Sequence, residues 1–281
     1  MNTTTAYRSD ELRQHLLRRI ERDEVELPIL PDVASRVLAL CQDADGDAAQ
    51  LSKLIQSDPA LAANVLRIAN SAAYAAREPI VSLQQAVSRL GMTAMGDIAV
   101  AAAVNAKVFS ARGREDEMRA LRTHAAATGV WSREIARQRR RNVEAAFLTG
   151  LLHDVGKPIL LQAALELTKN DPIDAQTLSN VIHSLHSTMG AHVLNKWKLA
   201  HWMAAAIDGH HDIERAGEHS DLAATVQLGD LLAHWTVQPD AEHEAKVRNC
   251  PVLGMLGLYP EDLDLLFTRK ELVASSTKAF T

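Results

Sequence analysis

A histidine and an aspartate stand side by side in the oily stretch LTGLLHDVGKPILL, Leu148 to Leu161. Imidazole and carboxylate are costly in an apolar interior unless they are hydrogen-bonded, paired or bound to a cation. His153 and Asp154 therefore admit two readings: they hold a metal that does chemistry, or they satisfy one another in the core. Nine of the twelve histidines fall between His153 and His234. Clustering matters only if the rings face inward, so each must be placed on its helix.

Leu121, His124, Thr128, Trp131 and Ile135 recur at steps of three and four, which puts His124 on the buried stripe of a helix. His153 and Asp154 follow Leu148, Leu151 and Leu152, and Gly156 with Pro158 signals a helix end just after them. Such a pair can point into one cavity, with Lys157 in reach of it. His186 opens HSTMGAHVL, where Gly190 lets another helix approach closely. His210 and His211 close a helix carrying Met203, Ala204 and Ile207, so His211 continues the apolar face. Asp230 lies four beyond Val226 and seven beyond Ala223, again facing inward. Imidazoles and carboxylates from separate helices make a donor set for Fe, Mn, Co, Ni or Zn. One divalent ion, or two, could clamp a phosphate and activate water, with Asp154 and Lys157 as the catalytic residues and Lys157 steadying a phosphate oxygen or a leaving group. His15, His183, His192, His201, His219, His234 and His243 are read as surface or supporting residues.

The elements that position these residues are helices. Alanine and leucine dominate, aromatics are 4%, and apolar residues recur at helical steps. A charged amphipathic helix is expected over 9–22. Pro28 and Pro31 break the pattern before a helix that buries Val33, Val37, Leu38 and Cys41. Asp47, and Asp58 with Pro59, cap the next two helices, and Asn70 and Ser71 end the second, where asparagine tolerates a left-handed backbone. Ser82 with Gln85 forms a capping box, Gly91 is a stop, and an alanine-rich helix follows over 93–109. Ser110 to Ala120 is the expected hinge and Thr168 to Gln176 a further linker. The division is an N-terminal extension over 1–26, a helical subdomain over 27–110 and a second over 111–281.

The net charge of −5 argues against direct nucleic-acid binding. RQRRRN (Arg137 to Asn142) reads as a solvated basic run. Two cysteines make no disulfide framework. No run suits a signal peptide or a bilayer span, so a cytoplasmic protein without membrane attachment is expected.

Further segments sharpen the reading. LPILPDVASRVLALCQD, LIQSDPALAANVLRIANSAAY, SLQQAVSRLGMTAM, FLTGLLHDVGKPIL and MGAHVLNKWKLAHWMAAAIDGHHD resemble the HDOD domain, the HD-related output domain of bacterial signalling proteins. The resemblance runs from about Leu27 to Leu266 and extends to the HD superfamily of metal-dependent phosphohydrolases. It implies an all-α fold, an N-terminal helical bundle packed on a C-terminal HD-like helical subdomain, with the histidines between helices. His124, His153, Asp154, His186, His210, His211 and Asp230 match most of the superfamily's metal-ligand positions. The HD-GYP relatives, which hydrolyse cyclic di-GMP, carry tyrosine and proline after the His-His pair; DIERAGEHSDLAA stands there instead. Ala120 occupies the place of an acidic extra ligand seen in some relatives.

Two functions follow from the resemblance. The first is a signalling module that binds a protein partner or a small nucleotide-like ligand, alone or as a homo-oligomer, without catalysis; no receiver, kinase or DNA-binding segment is expected in the short extension. The second is a metal-dependent phosphohydrolase acting on a nucleotide or phosphodiester.

Overall fold

The computed structural model describes residues 3–280 except 29, 44, 75–78, 109–112 and 170–172, and leaves aside the side chains of 3–8, 42 and 105–107. Among the described residues every regular element is a helix. α1 (Thr3–Glu21) is followed by α2 (Asp32–Gln42), α3 (Ala48–Gln56), α4 (Pro59–Ala69), α5 (Leu83–Leu90) and α6 (Met92–Lys107). The remainder is α7 (Glu115–Gln138), α8 (Val143–Leu152), α9 (Gly156–Leu167), α10 (Ala175–Lys196), α11 (His201–Asp208), α12 (Ser220–Val237), α13 (Ala241–Arg248), α14 (Leu253–Leu256), α15 (Pro260–Phe267) and α16 (Lys270–Thr277).

Local chemistry sets most of the boundaries. Asp47 Oδ1 accepts from the Gln50 amide at 2.8 Å, and Asp58 Oδ1 accepts from the Ala60 and Leu61 amides at 3.0 Å, so both aspartates cap as expected. Ser82 Oγ accepts from the Gln85 amide, but Gln85 Oε1 reaches back to the Val81 amide rather than to Ser82. Gly91, at φ 86°, ends α5 and starts α6.

Several expectations are corrected. α1 begins six residues before the expected Ser9. Asn70 is right-handed, with φ −89°, because its side chain has other work: Oδ1 accepts from the Ile80 amide at 2.7 Å, and Nδ2 donates to the Ile80 and Leu66 carbonyls. Residues 115–120 of the expected hinge are helical, since Glu115, Asp116 and Glu117 complement the positive end of α7; 110–112 lie outside the described residues, as do 170–172 of the further linker. Val33, Leu38 and Cys41 are half-buried while Val37 and Ala34 carry the buried face of α2. Arg139 is not solvated. It donates to both carboxylate oxygens of Asp221 and to the Leu256 carbonyl, tying the end of α7 to α12 and α14.

α7 is the axis of the C-terminal half, with α8 and α12 packed along it, while α10 packs on α9 and α11. In the N-terminal half α6 contacts α2, α3, α4 and α5. α1 lies on α10 and α9, and α16 lies on α7 and the 3₁₀ turn Ala72–Tyr74. One apolar core runs from Leu12 to Phe280 through both halves.

Candidate metal centre

Two glycines bring the first pair of ligand-bearing segments together. A Cβ at Gly156 would fall 2.2 Å from the His186 carbonyl oxygen, and one at Gly190 would fall 2.9 Å from Ile207 Cγ2. The turn between α8 and α9 is thus pressed against α10, and α10 against α11. His153 and Asp154 occupy that turn, both fully buried; His186 is buried on α10, and His210 follows Gly209 just past α11.

Three rings are held in the same way. His153 Nδ1 lies 2.7 Å from the Gly150 carbonyl, His186 Nδ1 2.6 Å from that of His183, and His210 Nδ1 2.6 Å from that of Ile207. A carbonyl only accepts, so each Nδ1 carries the proton and donates it. The neutral rings of His186 and His210 are each left with a lone pair at Nε2, and these point toward one another, 3.3 Å apart. Asp154 sits among them, with Oδ1 3.4 Å from His186 Nε2 and Oδ2 3.3 Å from His153 Nε2. Asp230 Oδ1 lies 2.8 Å from His124 Nε2 and 3.8 Å from His153 Nε2.

All seven sequence-derived metal candidates meet in this pocket, as does Lys157, whose Nζ donates to Asp154 Oδ2 at 2.6 Å. His211 arrives differently from the expectation. α11 stops at Asp208, so the face of Ile207 does not continue; the His211 residue is exposed, yet its Nε2 lies 3.1 Å from His186 Nε2. Two further histidines were not foreseen as members. His183 is exposed but groups with His186 and His211, and His234 stacks on His124 at 4.4 Å with Nε2 3.5 Å from Asp230 Oδ1. The spacings 183/186 and 230/234 placed both on the right faces and were the signal that could have found them.

The electrostatics divide the rings into two kinds. Burial holds His186 and His210 neutral, pushing each down to about 3. Burial also opposes charge on His153, but Asp154 and Asp230 beside it outweigh that and push it up to about 9. Burial works to raise both carboxyls as well; Asp154 nevertheless lies well below the usual carboxylate range because of His153 and Lys157, and Asp230 because of His124 and His153.

The donor set fits a divalent metal. His153 Nε2 and Asp154 Oδ1 are buried without a hydrogen-bond partner, a costly state that a cation relieves. Ligand atoms about 2.1 Å from one ion stand about 3–4.2 Å from each other. Three groups lie within 4.8 Å internally: His124, His153 and Asp230; His153, Asp154 and His210; and His183, His186 and His211. The first two share His153, and Asp154 Oδ1 faces His186 of the third.

Similar proteins are known. A crystal structure from Shewanella amazonensis SB2B, named provisionally as a metal-dependent phosphohydrolase, is 23% identical, with a TM-score of 0.79 over 96% of this chain and 99% of that one. An HDOD domain protein of unknown function from Geobacter sulfurreducens is 21% identical, with a TM-score of 0.72 over 96% and 97%. These likenesses show the fold. An uncharacterized protein of Treponema pallidum (strain Nichols) is 22% identical over 73% of this chain, which spans 42% of that protein's length. The HDOD domain matches residues 27–213, well over half of the sequence, and the chain therefore belongs to the HDOD domain family.

Proposed function

We propose that this HDOD protein is a signalling protein whose C-terminal pocket binds divalent metal and hydrolyses a phosphoester. The observation that carries the proposal is the pair of lone pairs on His186 and His210, facing each other at 3.3 Å beside Asp154. Two acceptors so placed repel unless a cation lies with them, and burial disfavours a proton there. His124, His153, Asp154, His210 and Asp230 would hold one ion, and His183, His186 and His211 a second. Ions of the Fe, Mn, Co, Ni and Zn group supply Lewis acidity toward a phosphoryl oxygen and an acidified water.

The chain's own residues do the rest. Lys157 keeps an ammonium against Asp154 and, being partly open to the adjoining groove, offers it to a phosphate oxygen. His234, half-exposed beside Asp230, is placed to pass a proton at Nε2 to a departing oxygen. The buried walls of α7, α8 and α12 keep water from the inner face of the pocket.

The test is elemental analysis of protein purified without added metal, followed by a phosphodiester and phosphomonoester screen with Mn, Fe and Ni supplied. Asp154→Asn should keep the helical spectrum and lose both metal and turnover. Absence of metal under every loading condition would sink the proposal. A second reading, a metal-bearing module that binds a protein partner or nucleotide-like ligand without turnover, draws support from DIERAGEHSDLAA after the His-His pair, which lacks the tyrosine and proline of the hydrolytic relatives. Stoichiometric metal with no turnover of any phosphoester would favour it.

A further inference from the structure

A groove of about 550 Å³ opens from the histidine pocket along α7, α9 and α10. Each helix sends one face along it in the same direction. From Arg114 at the N-cap of α7, Glu117 and Leu121 lead at steps of three and four to His124. On α9, Lys157, Leu161 and Leu165 follow at steps of four. On α10, Leu178 and Ile182 lead to His183 and then His186. The run from Arg114 to His124 rises about 15 Å at the helical pitch. The inner end thus carries Lys157 and His183, the middle is aliphatic, and the outer rim carries Lys169 and an Arg114–Glu117 ion pair at 2.7 Å.

That lining discriminates between ligand bodies. A nucleobase is held by stacking on aromatic or guanidinium planes and by hydrogen bonds to its edges. Among the described lining residues the one aromatic plane is His183, which groups with His186 and His211 at the inner end; none along the groove is Phe, Tyr or Trp, the one guanidinium is engaged by Glu117, and between the two ends the hydroxyls of Thr168 and Ser179 stand among aliphatic side chains. Leu121, Leu161, Leu165, Leu178 and Ile182 offer dispersion contacts and removal from water, which reward an aliphatic body. From this and from the continuity of the groove with Lys157 and His183, we infer that the site takes a phosphoester with an extended aliphatic body, its phosphate at the histidine end and its chain along the groove. The inference rests on the phosphohydrolase reading for the identity of the head group; the body is read from the groove alone.

The experiment is calorimetric titration of the full chain, Mn(II)-loaded and metal-stripped, with hexyl, octyl and decyl phosphate below their micelle-forming concentrations, and with AMP. Affinity should rise roughly two- to fourfold per methylene, as burial of a CH₂ in an apolar site predicts. Leu165→Glu, at a partly exposed position on the groove, should flatten that dependence, whereas Leu265→Glu, exposed on α15, should leave it unchanged. An affinity independent of chain length in the loaded protein, or AMP bound more tightly than decyl phosphate, would overturn the inference. Hydrolysis of bis(p-nitrophenyl) phosphate is followed in parallel. Chain-length dependence without turnover supports the groove while sinking the hydrolase; turnover without chain-length dependence does the reverse.

Discussion

At the scale of single residues, Asp154 is the junction of the pocket. Its Oδ2 touches His153 and Lys157 while its Oδ1 faces His186. Asp154→Ala leaves two cations in a buried place without their partner, and such losses cost about 3–5 kcal/mol; a lower urea midpoint of the metal-stripped variant than of metal-stripped wild type would register it. The acid–base behaviour of metal-stripped protein follows from the rings. His186 and His210 are depressed to about 3 from 6.5, so the unfolded chain binds their protons first, and stability falls as pH drops below about 6.5. His153 is raised to about 9; its contribution is fully present below 6.5 and is lost as pH rises through 9. Asp154 and Asp230, both depressed, add stability that is lost only under strong acid. The urea midpoint should therefore peak near neutral pH, falling steeply on the acid side and more gently as pH rises toward 9, and a profile flat from pH 5 to 9 would contradict the assignment of protons. His234→Ala touches only the half-exposed rim; metal affinity should drop about tenfold, as for outer partners elsewhere, with stability changed by less than about 0.5 kcal/mol.

At the scale of elements, the close approach of α9 to α10 decides whether the ligands meet. Gly156→Ala puts a methyl into the His186 carbonyl. Overpacking of this kind costs about 1–3 kcal/mol, and metal titration should show weakened binding even though no ligand has changed. A second element contact, α6 on α8, buries Asp97 near Glu144. Burial first and Glu144 second push its carboxyl up to about 7. A raised acid destabilises the fold above its unfolded pKa and reaches its full cost above 7, so Asp97→Asn should stabilise at pH 8 by on the order of 2 kcal/mol and do nothing at pH 3.5. Equal effects at both values would mean the change acts by packing instead. These elements also show what sequence can disclose. Caps such as Asp47 and Asp58, the stripe through His124 and the inward face of Asp230 were legible because they depend on residues within a turn or two of each other; that Asp154 and Asp230 meet was only implied by the family resemblance. The reach of His211 was legible only in its result, because the chain leaves the helix at Gly209 and the ring arrives from a turn. Asn70 and Arg139 were misread for the same reason: their partners, Ile80 and Asp221, are fixed by tertiary packing. The groove depends on the relative placement of three helices, which no periodicity encodes.

At the scale of the whole molecule, the pocket draws side chains from α7, the α8–α9 turn, α10, the segment after α11, and α12. An ion there ties together segments more than a hundred residues apart in sequence. At a free concentration of about 100 times Kd a bound ion adds about 2.7 kcal/mol, which for a domain of this size raises Tm by roughly 5–10 °C; scanning calorimetry before and after chelation checks it, and an unchanged Tm would sink the cross-linking role. The tethers of the three buried rings carry one more consequence. His153, His186 and His210 are each steered by a main-chain carbonyl three positions back, and no side-chain exchange deletes a carbonyl. A saturation survey of the gene should find the codons of these three rings intolerant while those of Gly150, His183 and Ile207, which contribute only a carbonyl to the tether, do not share that intolerance on its account, so that kin could change the side chains there and still aim the three imidazoles alike.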